Sequence, residues 1–151
     1  MIVLKRTNSE DPDFQNLVKE LDFDLKTRDG EDHSFYSQFN KIAAIKHAIV
    51  AYDQDEPVGC GALKEYSANT MEVKRMYVPL HRRGRGIASM ILNELETWAA
   101  ELNCTTCILE TGKKQPEAIE LYKKHDYTII PNYGQYQTVE NSVCFKKELG
   151  K

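Results

Sequence analysis

Hydrophobic and polar positions recur along the chain with the spacings that helices and strands require. After Gly86, the apolar residues are separated by 4, 4, 3 and 4 positions; they are Ile87, Ile91, Leu95, Trp98 and Leu102. This spacing puts all of them on one face of an amphipathic helix, which Asn103 ends. It is the clearest helix that the sequence predicts.

Three further segments have helical patterns. Asp11 followed by Pro12 is typical of a helix start, because Asp caps free N–H groups and Pro fits the first turn. One apolar face of that helix is formed by Phe14, Leu17, Val18, Leu21 and Leu25. Asp29-Gly30 ends it, and the other two helices are predicted over residues 34–45 and 116–125.

Strand patterns occupy most of the remaining chain. They cover residues 2–4, 47–52, 58–66, 71–78, 106–110, 127–130 and 139–146. The turn cluster at residues 53–57 joins the second and third strands as an antiparallel hairpin. A hairpin followed by strand–helix–strand–helix–strand predicts an α/β (α+β) fold, a mixed sheet with helices on its faces. At 151 residues we expect a single domain, residues 1–151.

Composition and charge exclude several classes of function. Charged residues make up 28% of the chain, hydrophobic ones 41%, and the formal net charge is −3. This balance argues against a general nucleic-acid or membrane-surface binder. No apolar run approaches the roughly 18 residues of a membrane span, so we expect no membrane partner and a cytoplasmic protein.

The four cysteines are Cys60, Cys104, Cys107 and Cys144. The Cys-x-x-Cys spacing of Cys104 and Cys107 suggests a redox or zinc site, but a zinc ribbon needs a second such pair. This pair opens a strand rather than a helix, so we predict reduced, partly buried thiols. The four histidines are scattered without ligand spacing, and we predict no metal site.

The segment His81–Ala88 carries the strongest chemical signal. Gly84 and Gly86 lie among arginines, between a strand and a helix, where backbone N–H groups can approach an anion closely. A P-loop is excluded, because the chain has no Gly-x-x-x-x-Gly-Lys-Ser/Thr motif. A dinucleotide-binding site is less favoured, because the third glycine of Gly-x-Gly-x-x-Gly is missing, although Glu110 could serve as the ribose-binding acid. An RNA-binding basic segment would more often lie in a disordered tail.

Three motifs in order resemble those of the GNAT superfamily of N-acetyltransferases. Residues 83–88 match its Arg/Gln-x-x-Gly-x-Gly/Ala motif, residues 72–79 look like its fourth strand, and residues 115–122 resemble its Asn-x-x-Ala-x-x-Leu-Tyr segment. The resemblance runs from about residue 45 to the end of the chain. It implies a mostly antiparallel twisted sheet, helices on both faces, and transfer of an acetyl group from acetyl-CoA to a primary amine.

The resemblance also implies which residues bind acetyl-CoA. The N–H groups of Arg83, Gly84, Arg85, Gly86, Ile87 and Ala88 would hold the pyrophosphate. Met76, Tyr77 and Val78 would offer backbone hydrogen bonds to the pantetheine arm. Arg82, Arg83 and Arg85 are candidate partners of the nucleotide phosphates. Gln115 stands where the family usually has Asn and would contact CoA through a longer amide.

Two residues are candidates for the chemistry. Glu72 matches a glutamate that serves as base in several family members, because an amine of pKa about 10.4 must lose a proton before it attacks. The alternative is a strand carboxylate paired with Lys74. Tyr122 matches the tyrosine that protonates the departing CoA thiolate; its alternative is a core residue beside Ile119.

Other expectations concern the turn after the helix predicted over residues 116–125, the acceptor and the partners. Asp126 replaces a glycine, and we expect it to take the same left-handed conformation. The loop Tyr133–Tyr136 either shapes an acceptor pocket or packs on the sheet. We predict direct transfer in a ternary complex, since no cysteine has an adjacent His base. Homodimerisation is a family-level expectation, and the alternative function is an acyl-CoA sensor without turnover.

Overall fold

The computed structural model describes residues 1–29 and 45–150, and the strands of these residues form one sheet. The strands are β1 (Ile2–Thr7), β2 (His47–Asp53), β3 (Glu56–Ser67), β4 (Thr70–Tyr77), β5 (Thr106–Gly112), β6 (Thr128–Ile130) and β7 (Ser142–Glu148). Their spatial order is β1-β2-β3-β4-β5-β7-β6. Every neighbouring pair is antiparallel except β4 and β5, which are parallel. The predicted mixed, mostly antiparallel sheet is therefore confirmed.

Helices cover both faces of this sheet, as predicted. They are α1 (Pro12–Asp29), α2 (Ile87–Glu101) and α3 (Pro116–Lys124). On one face, Phe14 and Leu17 of α1 pack against Val50. On the other, Ile91 of α2 is buried in a cluster that includes Leu109. α1 buries Phe14, Leu17, Val18 and Leu21 of its predicted stripe, and α2 buries Ile87, Ile91 and Leu95, whereas Leu102 at the end of the α2 stripe is exposed.

Two local predictions, the helix cap at Asp11 and the left-handed turn at Asp126, are confirmed. Asp11 Oδ1 accepts hydrogen bonds from the N–H groups of Asp13 (2.8 Å) and Phe14 (3.3 Å), and so caps α1. Asp126 adopts a φ of +70°, the left-handed conformation expected from the glycine that it replaces. None of the described helices is long and apolar enough to cross a membrane.

Two predictions of elements need separate mention. The helix predicted over residues 34–45 lies, apart from its last residue, outside the described residues. The last strand begins at Ser142 and not at Val139, because the chain first makes consecutive turns after a short 3-10 segment, Gly134–Tyr136. Those turns bury Tyr136 against Cys144, a packing that the extended backbone of a longer strand would not allow.

A β-bulge interrupts the pairing of β3 with β4. Cys60 is opposite Tyr77 and Ala62 is opposite Lys74, so the one residue Gly61 faces two residues, 75 and 76. Arg75 has a φ of +58°, which lets the strand absorb the extra residue. The bulge therefore bends β4 just before its end.

The side chain of Arg75 anchors this bulge to α1. Only 2% of that side chain is exposed, and its guanidinium forms an ion pair with Asp22 of α1. The Cys60 thiol also donates to the carbonyl oxygen of Arg75 at 3.4 Å. Because a buried charge is costly unless it is paired, the Asp22 contact holds α1 and the bulge in one arrangement.

Beyond Glu72 the two parallel strands part. The ladder of β4 with β5 contains only Thr70, Met71 and Glu72, opposite Thr106, Cys107 and Ile108. β5 continues in register with β7 as far as Gly112, while β4 continues beside β3. A gap therefore opens in the middle of the sheet, with Glu72 at its closed end.

The close approach at Gly61 gives a prediction about stability. A Cβ atom at this position would lie 2.6 Å from Met76 Sδ and 2.9 Å from Ile91 Cγ2, so Gly61→Ala forces the packed side chains of β4 and α2 to shift. We expect the free energy of unfolding to fall by about 1–3 kcal/mol, the usual cost of overpacking. Urea denaturation measures it.

Gly112→Ala is the matched control. Its added Cβ would meet its nearest neighbour at 3.5 Å, an ordinary contact, and we expect a smaller loss. Equal stability of the wild type and Gly61→Ala would contradict the close packing.

Candidate active site in the gap between β4 and β5

A cavity of about 310 Å³ fills the gap between β4 and β5. One wall runs from Glu72 on β4 to Val78 just after it, and the β5 wall runs from Glu110 to Gly112. It also reaches Arg83 and Ala88 near the start of α2, and Gln115 and Tyr122 at α3. One continuous cavity thus joins most of the residues that the sequence singled out on separate elements.

The glycine-rich turn has the backbone that an anion site needs. Gly84 and Gly86 have φ of +85° and +78°, conformations that favour glycine. A Cβ atom at either position would meet nothing within 4 Å, so the backbone conformation demands these glycines and the turn is open to solvent. Gly86 caps α2 without a side-chain hydrogen bond, which leaves the first N–H groups of the helix available to a ligand.

The three arginines of this segment differ in their exposure and in their contacts with other residues. Arg85 is exposed. Arg83 is half-buried and donates from Nε to the carbonyl oxygen of Val78 at 2.7 Å. Arg82 is held by carboxylates of the β2–β3 hairpin, Glu56 at 2.7 Å and Asp53 at 3.4 Å. The described ion pairs therefore make Arg82 a poorer phosphate partner than the sequence suggested.

The end of β4 offers unpaired backbone to the cavity. Met76 and Tyr77 lie on β4 and Val78 just after it, and all three line the cavity beyond the last rung of the parallel ladder. A strand edge that no second strand covers can bond an extended, amide-containing ligand; here the β5 side of β4 is uncovered, while the Val78 carbonyl oxygen already accepts from Arg83. Gln115 lies across the gap; its carbonyl oxygen accepts from Ala118 and Ile119, and its side chain borders the cavity.

Glu72 lies buried at the closed end of the gap. Its side chain is 7% exposed, and Oε2 accepts a hydrogen bond from the Tyr133 hydroxyl at 2.7 Å. Lys74 Nζ is 3.7 Å from the same oxygen. The structure thus combines the two readings of the sequence: the carboxylate borders the cavity, and it also pairs with Lys74.

Tyr122 faces the cavity from α3. It is 6% exposed, and its ring packs against Tyr127 (5.7 Å between centroids) and Phe145 (5.9 Å). No hydrogen bond among the described residues uses its hydroxyl. Burial raises the pKa of Tyr122, and the nearby charge of Glu110 raises it further. The phenol therefore stays protonated at neutral pH and has a proton to donate.

Sequence reasoning missed the contact of Tyr133 with Glu72. Residues 131–141 form no strand, and no spacing relates Tyr133 to β4. The structure places the ring of Tyr133 between Tyr66 and Tyr136, at centroid distances of 5.3 and 5.9 Å. Burial, and then the charge of Glu72, raises the pKa of Tyr133, so its hydroxyl remains a donor.

The cysteines follow the simpler interpretation. All four are free and buried, Cys104 and Cys107 included. Burial raises the pKa of Cys60 and of Cys107 to about 12 and that of Cys144 to about 11. Few thiolates therefore exist near pH 7. Within residues 1–29 and 45–150, no group of three or more metal-ligating side chains is present.

The chain is similar to known proteins in both sequence and fold. Residues 11–127 match the family described as Acetyltransferase (GNAT) family. The chain is 32% identical over 102 residues to an IAA acetyltransferase of Azospirillum brasilense, covering 67% of each. A crystal structure of a candidate acyl-CoA N-acyltransferase from Klebsiella pneumoniae has a TM-score of 0.83 and 27% identity, with 99% of both chains covered. A GNAT acetyltransferase of Elizabethkingia anophelis, solved with acetyl-CoA bound, has a TM-score of 0.73 at 17% identity over 98% of both chains.

The contact between Tyr133 and Glu72 leads to a prediction. Tyr133→Phe removes the donor at 2.7 Å and leaves a buried carboxylate with one partner fewer. We expect the free energy of unfolding to fall by about 1–2 kcal/mol. Chemical denaturation measures the loss. Tyr66→Phe, which removes an exposed hydroxyl of the same aromatic group, should change little. Equal effects of the two substitutions would argue against a stabilising Tyr133–Glu72 bond.

Proposed function

Since the chain belongs to the GNAT family of acetyltransferases, we propose that it transfers the acetyl group of acetyl-CoA to a primary amine in a direct ternary complex. The observation that carries the proposal is the single cavity that reaches from Arg83 and Ala88 to Glu72 and Tyr122. One end has open backbone donors for an anion, and the other has a carboxylate and a phenol. Acyl transfer from a phosphate-bearing thioester needs both ends.

The donor would bind along the gap. Its pyrophosphate would lie at the N–H groups of residues 83–88, where the positive end of the α2 dipole favours negative charge. Its pantetheine arm would extend beside Met76–Val78 and bond to the backbone that β5 leaves unpaired. Gln115 would supply an amide contact from the opposite wall.

Glu72 would act as the base. An amine with a pKa of about 10.4 is mostly protonated at neutral pH, and only its neutral form attacks a carbonyl. The carboxylate borders the cavity, and Tyr133 holds it in one orientation, which a base must keep if it is to meet the amine. Removal of the proton either directly or through one water is compatible with this arrangement.

Tyr122 would protonate the sulfur of CoA as the C–S bond breaks. Its hydroxyl has a raised pKa and borders the cavity, so it reaches the reaction as a neutral donor. The buried cysteines support direct transfer, because thiols with pKa values near 11 and 12 are poor nucleophiles at neutral pH. An acyl-enzyme intermediate on a cysteine has no support from these side chains.

The alternative is a protein that binds acyl-CoA as a sensor and does not turn it over. It would use the same glycine-rich turn but would have no need of Glu72 or Tyr122. An assay of acetyl-CoA consumption over a panel of small amines, amino acids and peptides separates the two. Acetyl-CoA binding seen by calorimetry without turnover on any acceptor would favour the sensor. No binding of any CoA species would refute both.

Substitutions of the two proposed catalytic residues test the mechanism. With an accepted amine, Tyr122→Phe and Glu72→Gln should each lower kcat by about 10²-fold or more, because each removes a proton-transfer group. Calorimetry should show acetyl-CoA binding close to that of the wild type, since neither group is proposed to bind the nucleotide.

Tyr66→Phe is the control for these variants, because Tyr66 is 49% exposed and does not line the cavity. We expect wild-type kcat for it. An unchanged kcat in Tyr122→Phe would remove this residue from the proposed mechanism, and the same result for Glu72→Gln would remove Glu72.

A further inference from the structure

Lys74 is a buried amine that the proposed mechanism does not use. Its side chain is 9% exposed, and it borders the cavity between β4 and β5. The ion pair with Glu72 spans 3.7 Å, and no hydrogen bond among the described residues uses Nζ. Nζ is not among the fully buried polar atoms that lack a partner, so it is reached from the cavity and is available to a bound reactant.

The position of this amine is that of an acceptor. An amine that gives its proton to Glu72 must come within about 2.6–3.2 Å of the carboxylate, or reach it through one water. Lys74 Nζ lies only slightly farther away, on a flexible four-carbon stem that can shorten the distance. It also borders the same cavity as Tyr122, the proposed proton donor to the CoA sulfur.

Burial lowers the pKa of Lys74, which favours the neutral amine that can react, and two nearby carboxylates disfavour the binding of an anion. Two carboxylates, Glu72 and Glu110, act on the ammonium and favour its charged form. An anionic group of a substrate would meet both. Burial has the larger effect and lowers the pKa of Lys74, with Lys64 and Arg75 acting in the same direction. A larger share of this amine is therefore neutral than for an exposed lysine.

We propose that Lys74 is acetylated by acetyl-CoA bound in the adjacent cavity of the same chain when no external acceptor is present. This inference rests on the proposed function. Nζ forms a bond to the acetyl carbon while the bond from that carbon to sulfur breaks. One proton of the original ammonium leaves through Glu72 to solvent, another is lost as the amide forms, and Tyr122 supplies the proton that the sulfur takes. The proton that the nitrogen loses as the amide forms then reprotonates Tyr122. The net products are one acetyl-lysine, one CoA thiol and one proton.

The test is mass spectrometry of the protein after incubation with acetyl-CoA and no amine. We expect one added acetyl group per chain, found by peptide mapping at Lys74, at a rate that does not depend on protein concentration. Lys74→Arg should remain unmodified at this position and Tyr122→Phe should react at least tenfold more slowly. An accepted amine, added in excess, should compete with the reaction.

Lys64→Arg is the matched control, because Lys64 lies opposite Glu72 on β3 but is exposed and outside the cavity. It should leave acetylation of Lys74 unchanged. Three results would overturn the inference: an unmodified Lys74 although calorimetry shows acetyl-CoA bound, acetyl groups spread over exposed lysines, or an equal rate in Tyr122→Phe. The first leaves the proposed function intact, whereas failure of acetyl-CoA to bind would refute both.

A selective effect on acidic substrates would also overturn it. If Lys74→Met raises KM only for amines that carry a carboxylate, and the wild type gains no acetyl group, then Lys74 binds an anion instead.

Discussion

The parting of β4 from β5 is the constraint on which the site depends. A parallel pair of strands normally bonds along its full length, but here the ladder ends at Glu72 and Ile108. Each strand keeps its other neighbour, β3 or β7, so neither can rotate to close the gap. The bulge at Arg75, tied to α1 through Asp22, fixes β4 on its own side. The cavity is therefore a product of sheet pairing and not of loops that happen to stand apart.

The gap also separates two kinds of charge. Open N–H groups and the exposed Arg85 lie at the mouth, where β4 has ended and α2 begins. Glu72 lies buried at the closed end and Glu110 lines the facing wall. A ligand with phosphates at one end and a neutral thioester at the other fits this order, and an amine fits the carboxylates. Electrostatic interactions are stronger where water is excluded. The closed end at Glu72 therefore discriminates between charged and neutral groups of a ligand more strongly than the mouth of the cavity does.

Local signals explain why much of the fold could be predicted from the sequence. The stripe from Ile87 to Leu102 needs only the helical repeat, and the positive φ of Gly84 and Gly86 follows from a tight turn that enters a helix. The capping by Asp11 and the left-handed Asp126 depend on the few residues around them. Such features require no knowledge of which strands become neighbours.

The missed features all depend on contacts between distant parts of the chain. Tyr133 meets Glu72 across 61 positions, and Arg82 finds Asp53 across 29. Neither spacing has a period that a pattern search detects, and each depends on the register of the completed sheet. Val139 has strand-forming propensity, yet the turns that bury Tyr136 against Cys144 exclude it from β7. Tertiary packing outweighed local preference at these positions.

The contacts of Glu72 also limit how a base at this position can work. Tyr133 and Lys74 both contact Oε2, and no hydrogen bond among the described residues uses Oε1. One oxygen is therefore held, and in the proposed mechanism the other would accept the proton of an incoming amine. A carboxylate fixed in this way does not need to reorient before each proton transfer, and such preorganisation lowers the barrier of the step. In the proposed mechanism, Tyr133 thus contributes without touching either substrate, by keeping the open oxygen of Glu72 in place.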